Sequence, residues 1–314
     1  MVLPKFFFII LGYALCALAA TASVLHQFPS GTWIENVAVR SNGNLLVVLY
    51  DRPEIHEINP FTIPPTVDLV ARFDDATGIQ GIAETAEDSD IFVVMPYQGS
   101  EYSLRAVNLR WREDDRGLGS TVTIIPRIEG AKALNGMTRL SDNILLAADT
   151  SAGNVVRFDV LARKAEVVIQ DETMVGLPIA GAGINGFRMH NSYAYYTNFF
   201  KGILCRVPIH PTEGTPTGPI QILADGLGIL DDLAVADDGT AYVMQYLQGS
   251  VTAVHEDGRK DVVAEGLDRP TSAQFGRTEI DRDVLYVVGS GNPLGPYVRG
   301  VFEGGRVYAI DLSS

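Results

Sequence analysis

Gly183-Ile-Asn-Gly-Phe-Arg-Met-His190, followed after Asn191-Ser192 by Tyr193-Ala-Tyr-Tyr-Thr-Asn198, is the stretch that decides the fold. Apolar and aromatic residues crowd both runs, and the Asn-Ser pair between them suits a tight turn. The stretch therefore reads as a short strand, a turn and a second strand running back. One polar residue, Asn185, stands near the start of the first strand.

The same arrangement recurs along the chain. Trp33-Ile-Glu35-Asn-Val-Ala-Val-Arg40 precedes Leu45–Tyr50, and Gly78-Ile-Gln80-Gly-Ile-Ala-Glu84 precedes Ile91–Met95. Ala133-Leu-Asn135-Gly-Met-Thr-Arg-Leu140 precedes Ile144–Asp149, and Ile229-Leu-Asp231-Asp-Leu-Ala-Val235 precedes Thr240–Tyr246. Arg269-Pro-Thr271-Ser-Ala-Gln-Phe275 precedes Val284–Val288. The aligned polar residues lie 40 to 55 residues apart, the period of propeller blades. Two further β-rich runs follow several of the pairs: Asn154–Asp159 and Lys164–Ile169, Ile203–Val207 and Ile220–Ala224, Ser250–His255 and Lys260–Ala264. No stretch carries a sustained helical period. The expectation is an all-β, six-bladed propeller with four antiparallel strands per blade. A β-sandwich or a pair of barrels would leave six similar units unexplained. An open ring would expose a strand edge. The last unit, ending in Arg306–Leu312, lacks a fourth strand, and Val24–Phe28 is available to supply it.

Ahead of that strand lie Lys5 and the apolar run Phe6–Leu18, then small-x-small sites at Ala17-Leu-Ala19 and Ala20-Thr-Ala22. Residues 1–22 read as a secretory signal peptide, and 23–314 as one propeller domain. The run is short for the alternative, a membrane anchor, and no later segment could span a bilayer. The expected location is the secretory lumen or the exterior. Cleavage would remove Lys5 and shift the formal charge from −14 to −15. An acidic chain without a basic cluster argues against nucleic acid or an anionic membrane as partner. Of the two cysteines, Cys16 leaves with the leader, so Cys205 has no internal disulfide partner.

In a propeller the first strand of each blade lines the central channel. Its opening polar residues are Glu35, Gln80 (or Glu84 further along), Asn135, Asn185, Asp231 and Thr271. Carboxylate and amide oxygens converging on an axis suit one hard divalent cation, Ca²⁺ or Mg²⁺. Asn and Asp also cap turns, but Trp-Ile-Glu-Asn-Val is no turn sequence.

On these residues the chain resembles the senescence marker protein (regucalcin) and gluconolactonase superfamily of six-bladed propellers. The resemblance implies metal ligands at Glu35, Asn185 of Asn-Gly-Phe, and Asp231 of Asp-Asp-Leu, with Asp231 also the catalytic base. There are departures. The family's Asn-Asp-Gly is Asn135-Gly136 here, the Gly after the ligand Asp is Asp232, and the acidic residue closing the fourth blade's second strand is Asn198. A polar sugar-lactone pocket is not what these changes favour. Met95, Tyr97, Phe199, Phe200, Met244 and Tyr246 follow second strands, where they either ring the channel mouth or pack between blades. At the mouth they would fit a large apolar ligand. His26, His56, His190, His210 and His255 all miss the blade starts, and Ser272 and Ser290 lack an evident base. No phosphate loop or Cys-x-x-Cys occurs, and no organic cofactor is expected.

Glu-Asn-Val-Ala-Val-Arg-Ser-Asn-Gly, Arg-Pro-Thr-Ser-Ala-Gln-Phe-Gly-Arg-Thr and Asp-Arg-Asp-Val-Leu-Tyr-Val-Val further resemble secreted fungal propellers of natural-product pathways, including hetero-Diels–Alderases. That resemblance implies cycloaddition of a reactive oxygenated diene, such as a tropolone quinone methide, to an apolar terpene-like alkene. Asn135, Asn198, Tyr246 and Asp231 are then the candidate catalytic groups. Metal-dependent lactone hydrolysis and non-catalytic binding of an apolar ligand are the alternatives. The oligomeric state is open.

Overall fold

The computed structural model describes residues 21–110, 117–291 and 303–313. The expected leader falls almost wholly in residues 1–20, outside the described residues. Six antiparallel sheets follow one another along the chain, and no helix occurs among the described residues. The innermost strands are β2 (Ile34–Val39), β6 (Gly78–Glu84), β11 (Leu134–Ser141), β15 (Ile184–His190), β19 (Leu230–Val235) and β23 (Pro270–Phe275). Each contacts the next in that order, and β2 contacts β23, which closes the ring. The second sheet carries an extra two-residue strand, Glu101–Tyr102, on β7 (Ile91–Gln98).

Closure uses the chain's two ends. The strand β1 (Ala22–Gln27) pairs antiparallel with β25 (Arg306–Asp311), from Ala22 opposite Ile310 to Gln27 opposite Arg306. The expected fourth strand thus begins two residues earlier than Val24, and Phe28, just past its end, is buried between the last blade and the first. Six buried apolar clusters lie among the described residues, one between each pair of adjacent blades. The hydrophobic driving force therefore acts around the ring, and the axis is left to polar groups.

One irregularity is common to all six blades. The pairing of each innermost strand with its neighbour slips at the same place: Ile34/Asn36, Ile79/Ile82, Leu134/Met137, Ile184/Phe187, Leu230/Leu233 and Pro270/Ser272. A β-bulge bends its strand and re-aims a side chain. The residues at the slips are Glu35, Gln80, Asn135, Asn185, Asp231 and Thr271, the aligned polar set. Glycines follow three of them. A Cβ at Gly186 would lie 2.5 Å from the Cα of Asp232, and one at Gly136 would lie 2.6 Å from the carbonyl oxygen of Asn185. Those glycines let neighbouring innermost strands approach.

Removing residues through Gln27 should leave β25 as an unpaired edge. The shortened chain is expected to lose its cooperative thermal transition and to elute as aggregate in size-exclusion chromatography. An unchanged monomer with an unchanged transition would show that β1 is dispensable.

Candidate active site

At their starts the innermost strands present a floor of polar side chains. Glu35, Gln80, Asn135, Asn185 and Asp231 each keep only 5–8 % of their surface exposed. Asn135 Nδ2 donates to Glu35 Oε1 at 3.0 Å, and the buried Trp33 indole N–H, which makes no full hydrogen bond, also acts to hold the Glu35 carboxyl down. Burial nevertheless dominates and pushes the Glu35 carboxyl up to about 7. Asp231 is raised well above the usual carboxylate range, first by burial and then by the charges of Glu35 and Asp232, with the Asn185 amide acting in the opposite direction. Thr197, at the end of β16 (Tyr193–Asn198), holds this bulge by accepting from Gly186 N at 2.9 Å and donating to the Asp231 carbonyl at 2.6 Å. Thr271 contributes nothing to the floor, since its hydroxyl bonds the carbonyls of Ile34 and Val288.

One residue further along, the channel is plugged. Asp232 receives the guanidinium of Arg188 and hydrogen bonds from Asn36 Nδ2 at 3.1 Å and Ser272 Oγ at 2.9 Å. Arg188 also reaches the Met137 carbonyl at 3.3 Å and Ser272 Oγ at 3.2 Å. Asp232 and Ser272 have no exposed surface. Beyond the plug, at the far ends of the innermost strands, a cavity of about 330 Å³ is lined by Ile82, Glu84, Met137, Arg139, Met189, Phe275 and Arg277, among others. None of the floor residues lines it. Glu84, the alternative to Gln80, belongs there, paired with Arg277 at 2.8 Å. The floor is thus reached from the start face.

Over that face runs a continuous aromatic wall. Neighbouring ring centroids are 5.9 Å apart for Tyr102–Tyr97, 5.3 Å for Tyr97–Tyr50, 5.0 Å for Tyr50–Trp33 and 6.3 Å for Trp33–Tyr246. From Tyr246 it continues 5.9 Å to Phe199 and 4.8 Å to Phe200. Burial is the main cause that raises the phenols of Tyr97, Tyr102 and Tyr246, and the charges of Glu35 on the first two and Asp231 on the third add smaller pushes in the same direction.

The expected site residues therefore divide. Tyr97, Phe199, Phe200 and Tyr246 lie in the wall. Met95 and Met244 do not: both are fully buried in the apolar clusters between blades, one pleat deeper along β7 and β20 (Ala241–Gln245) than Tyr97 and Tyr246. Asn198 does not reach the mouth either. Its amide N–H groups bind the carbonyls of Thr173 at 2.8 Å and Val175 at 3.1 Å, and its oxygen accepts from Lys201 N. That leaves no donor for a substrate. Trp33, Tyr50, Tyr102 and Arg188 are the residues that sequence reasoning missed. Tyr50 follows a second strand as Phe199 and Tyr246 do, and Trp33 immediately precedes the first strand of the same pair, a positional signal that was available.

The donor set also fits a hard divalent cation. Asn185 Oδ1 and Gln80 Oε1 are buried without a hydrogen-bond partner, beside two carboxylates. Among the described residues no group of three His, Cys, Asp or Glu side chains converges, so amide oxygens would have to complete the coordination.

Two outcomes are expected. Asp232→Ala should destabilise the fold by about 3–5 kcal/mol by leaving Arg188 buried and unpaired, whereas Arg188→Met with Asp232→Leu should recover most of that loss in urea unfolding. In chelator, stability should fall as pH rises from 4.5 toward 7, because the folded chain holds the Glu35 proton over that window and the unfolded chain does not. A Glu35→Gln chain should show a flatter profile.

No family model matches the chain. The protein from Sarocladium schorii named "Putative hetero-Diels-Alderase asR5" is 30 % identical over 340 residues, covering 92 % of this chain and 83 % of that protein. A protein of a Phoma species named "Putative hetero-Diels-Alderase" is 26 % identical, covering 85 % of this chain and 86 % of that protein. Among solved structures, a luciferin-regenerating enzyme superposes with a TM-score of 0.69 at 16 % identity, covering 93 % of this chain and 95 % of its own. A calcium-binding regucalcin from Agrobacterium tumefaciens gives 0.64 at 16 %, covering 93 % and 94 %. A gluconolactonase from Xanthomonas campestris gives 0.65 at 12 %, covering 93 % and 89 %. These structures share the six-bladed regucalcin and gluconolactonase fold, while identity along nearly the whole chain is with the two fungal proteins. By that measure the chain belongs to the hetero-Diels–Alderase family of propellers.

Proposed function

We propose that this protein catalyses a hetero-Diels–Alder cycloaddition between an oxygenated heterodiene, such as a tropolone quinone methide, and an apolar terpene-like alkene. The observation that carries the reading is the unbroken aromatic wall standing over a polar, water-poor floor. In such a reaction the carbonyl and exocyclic C=C bonds of the heterodiene and the C=C bond of the alkene give up their π pairs. One C–C and one C–O σ bond form, one π bond is regenerated within the ring, and no proton or leaving group departs. Acid–base machinery is therefore dispensable, and orientation is decisive. Holding two partners in a near-attack arrangement can remove several kcal/mol, roughly the scale of well-oriented intramolecular reactions. The flat faces of Trp33, Tyr50 and Tyr97 suit a planar conjugated ring, and Phe199 and Phe200 suit the hydrocarbon partner. Excluding water also protects a heterodiene that water would trap.

As the bonds form, electron density moves from the alkene toward the heterodiene oxygen. We assign Tyr246 to answer that charge. Its phenol oxygen accepts from Arg269 Nη1 at 3.3 Å and Ser290 Oγ at 3.4 Å, so its own proton remains for donation. Asn135 is less suited, because one amide N–H already serves Glu35. Glu35, Asn185 and Asp231 would hold Ca²⁺ or Mg²⁺, which when bound supplies Lewis-acid polarisation of a substrate oxygen. No helix among the described residues is long and apolar enough to cross a membrane. We place the protein in the secretory pathway on the leader-like residues 1–22.

Purified protein supplied with a quinone methide generated in place and a terpene alkene should raise both yield and stereoselectivity above buffer. Tyr246→Phe should lower turnover about 10- to 100-fold while leaving substrate affinity near that of the parent. A product ratio equal to buffer would end the reading. Chelator-sensitive opening of a lactone would replace it with hydrolysis, and tight binding without chemical change would replace it with a carrier role. Ca²⁺ should raise the thermal midpoint of the parent and leave Asn185→Ala unmoved. An equal rise in both would remove Asn185 from the cation site.

A further inference from the structure

We propose that Arg269, seconded by Ser290, is a positioning residue that fixes Tyr246 as a one-way hydrogen-bond donor facing the floor of the site. The inference rests on the cycloaddition reading for its purpose, but its geometry stands separately.

Arg269 occupies the last position before the innermost strand of blade six, and its backbone is left-handed, with φ of 48°. A non-glycine residue there is uncommon, and one preceding a proline is already steered toward extended backbone. The surroundings hold it nonetheless: Arg269 N donates to the Leu267 carbonyl at 3.0 Å, and its own carbonyl accepts from Ser290 N at 3.0 Å. Strain of this kind persists where neighbouring structure over-determines it, and often where a side chain has work at a site. Here the result is specific. The guanidinium carbon lies 5.2 Å above the Tyr246 ring centroid, and Nη1 reaches round to the phenol oxygen at 3.3 Å. Trp33 stacks on the same ring at 6.3 Å with planes 21° apart, and Phe199 lies at 5.9 Å, so the ring is walled from several sides.

The hydrogen bonds have one sense. Arginine can only donate, and Ser290 Oγ donates as well, so the phenol oxygen is an acceptor twice over. No acceptor for its own proton is present among the described residues. Tyr246 N is bonded to the Ile229 carbonyl at 2.8 Å, two residues before Asp231, which sets this residue beside the start of the fifth innermost strand, and the Asp231 charge is felt at the phenol. Two donors on the oxygen draw electron density from the O–H bond and strengthen it as a donor, and they exclude the rotamer in which the hydroxyl turns toward Arg269.

The test uses the full chain and four forms: parent, Arg269→Asn, Tyr246→Phe and the double variant. Asparagine tolerates left-handed backbone, so the fold is expected to survive with its thermal midpoint little changed. Arg269→Asn should lower kcat about tenfold with KM within about twofold. In the Tyr246→Phe background the same substitution should have no further effect, since its route of action is gone. A loss that persists in that background, or no loss in either, would overturn the proposal. The second readout needs no turnover. In an ultraviolet titration taken as the difference between each chain and its Tyr246→Phe counterpart, the Tyr246 phenol should ionise at higher pH in Arg269→Asn than in the parent. Coincident titrations would overturn the coupling even in an active enzyme, whereas a shifted titration in a chain inactive toward every quinone methide would reject the cycloaddition and keep the Arg269–Tyr246 pair.

Discussion

The guanidinium of Arg188 lies on the channel axis with partners from the innermost strands of blades one, three, five and six: Asn36, the Met137 carbonyl, Asp232 and Ser272. With its own strand, five of the six blades meet on one planar cation. The sixth contributes Gly81, where a Cβ would come within 2.5 Å of the Asn135 carbonyl oxygen. The apolar clusters hold blades to their neighbours around the ring, and the axis itself is filled by this buried pair. Ionic groups at such a place favour a unique arrangement more than they favour stability, because each partner is desolvated whether or not the other is present. Arg188 Nε has no partner at all, which marks how little slack the plug contains.

The plug also sets the electrostatics of the floor above it. Arg188 is engaged by Asp232, and Glu35 and Asp231 are left facing one another in a desolvated layer without a cation of their own. Two such carboxyls cannot both ionise cheaply, and both are displaced upward, burial being the larger cause in each. The layer has two remedies, holding protons or holding a hard cation. Either one makes the floor more positive toward an approaching oxygen, the sense that a heterodiene oxygen gaining charge requires. A base for hydrolysis needs the reverse, an ionised Asp231 ready to take a proton.

The fold was legible because propeller architecture is written in repeats. Strands such as Ile144–Asp149 and Asn154–Asp159 were delimited to the residue, and the polar positions at the starts of the innermost strands could be aligned across all six units. What alignment could not supply was the cause. The common bulge is a property of pairing between two strands, and no single strand's sequence announces it. The mouth was half legible. Tyr97, Phe199, Phe200 and Tyr246 were placed by position at or just past the end of a strand, but the same logic swept in Met95 and Met244, two residues before Tyr97 and Tyr246 and so one pleat deeper, inside the clusters between blades. Asn198 failed for a different reason. An amide at a blade corner can face the channel or tie down a loop, and only the carbonyls of Thr173 and Val175 decide for the second.

Asp232 was visible in the sequence only as a departure, an aspartate where the resembling family has glycine, and the structure gives that departure a physical role. Its carboxylate occupies the space left by Gly186, whose added Cβ would stand 2.5 Å from Asp232 Oδ1. Filling that space closes the channel below the floor and separates it from the 330 Å³ cavity at the far end. A ligand must then come and go through the aromatic face alone. For the proposed cycloaddition, whose heterodiene water would trap, a blind channel with an aromatic rim has an advantage over an open one. On the proposed cycloaddition, a heterodiene would meet rings on its faces and a proton donor at its oxygen, with the plug closing the far end of the channel.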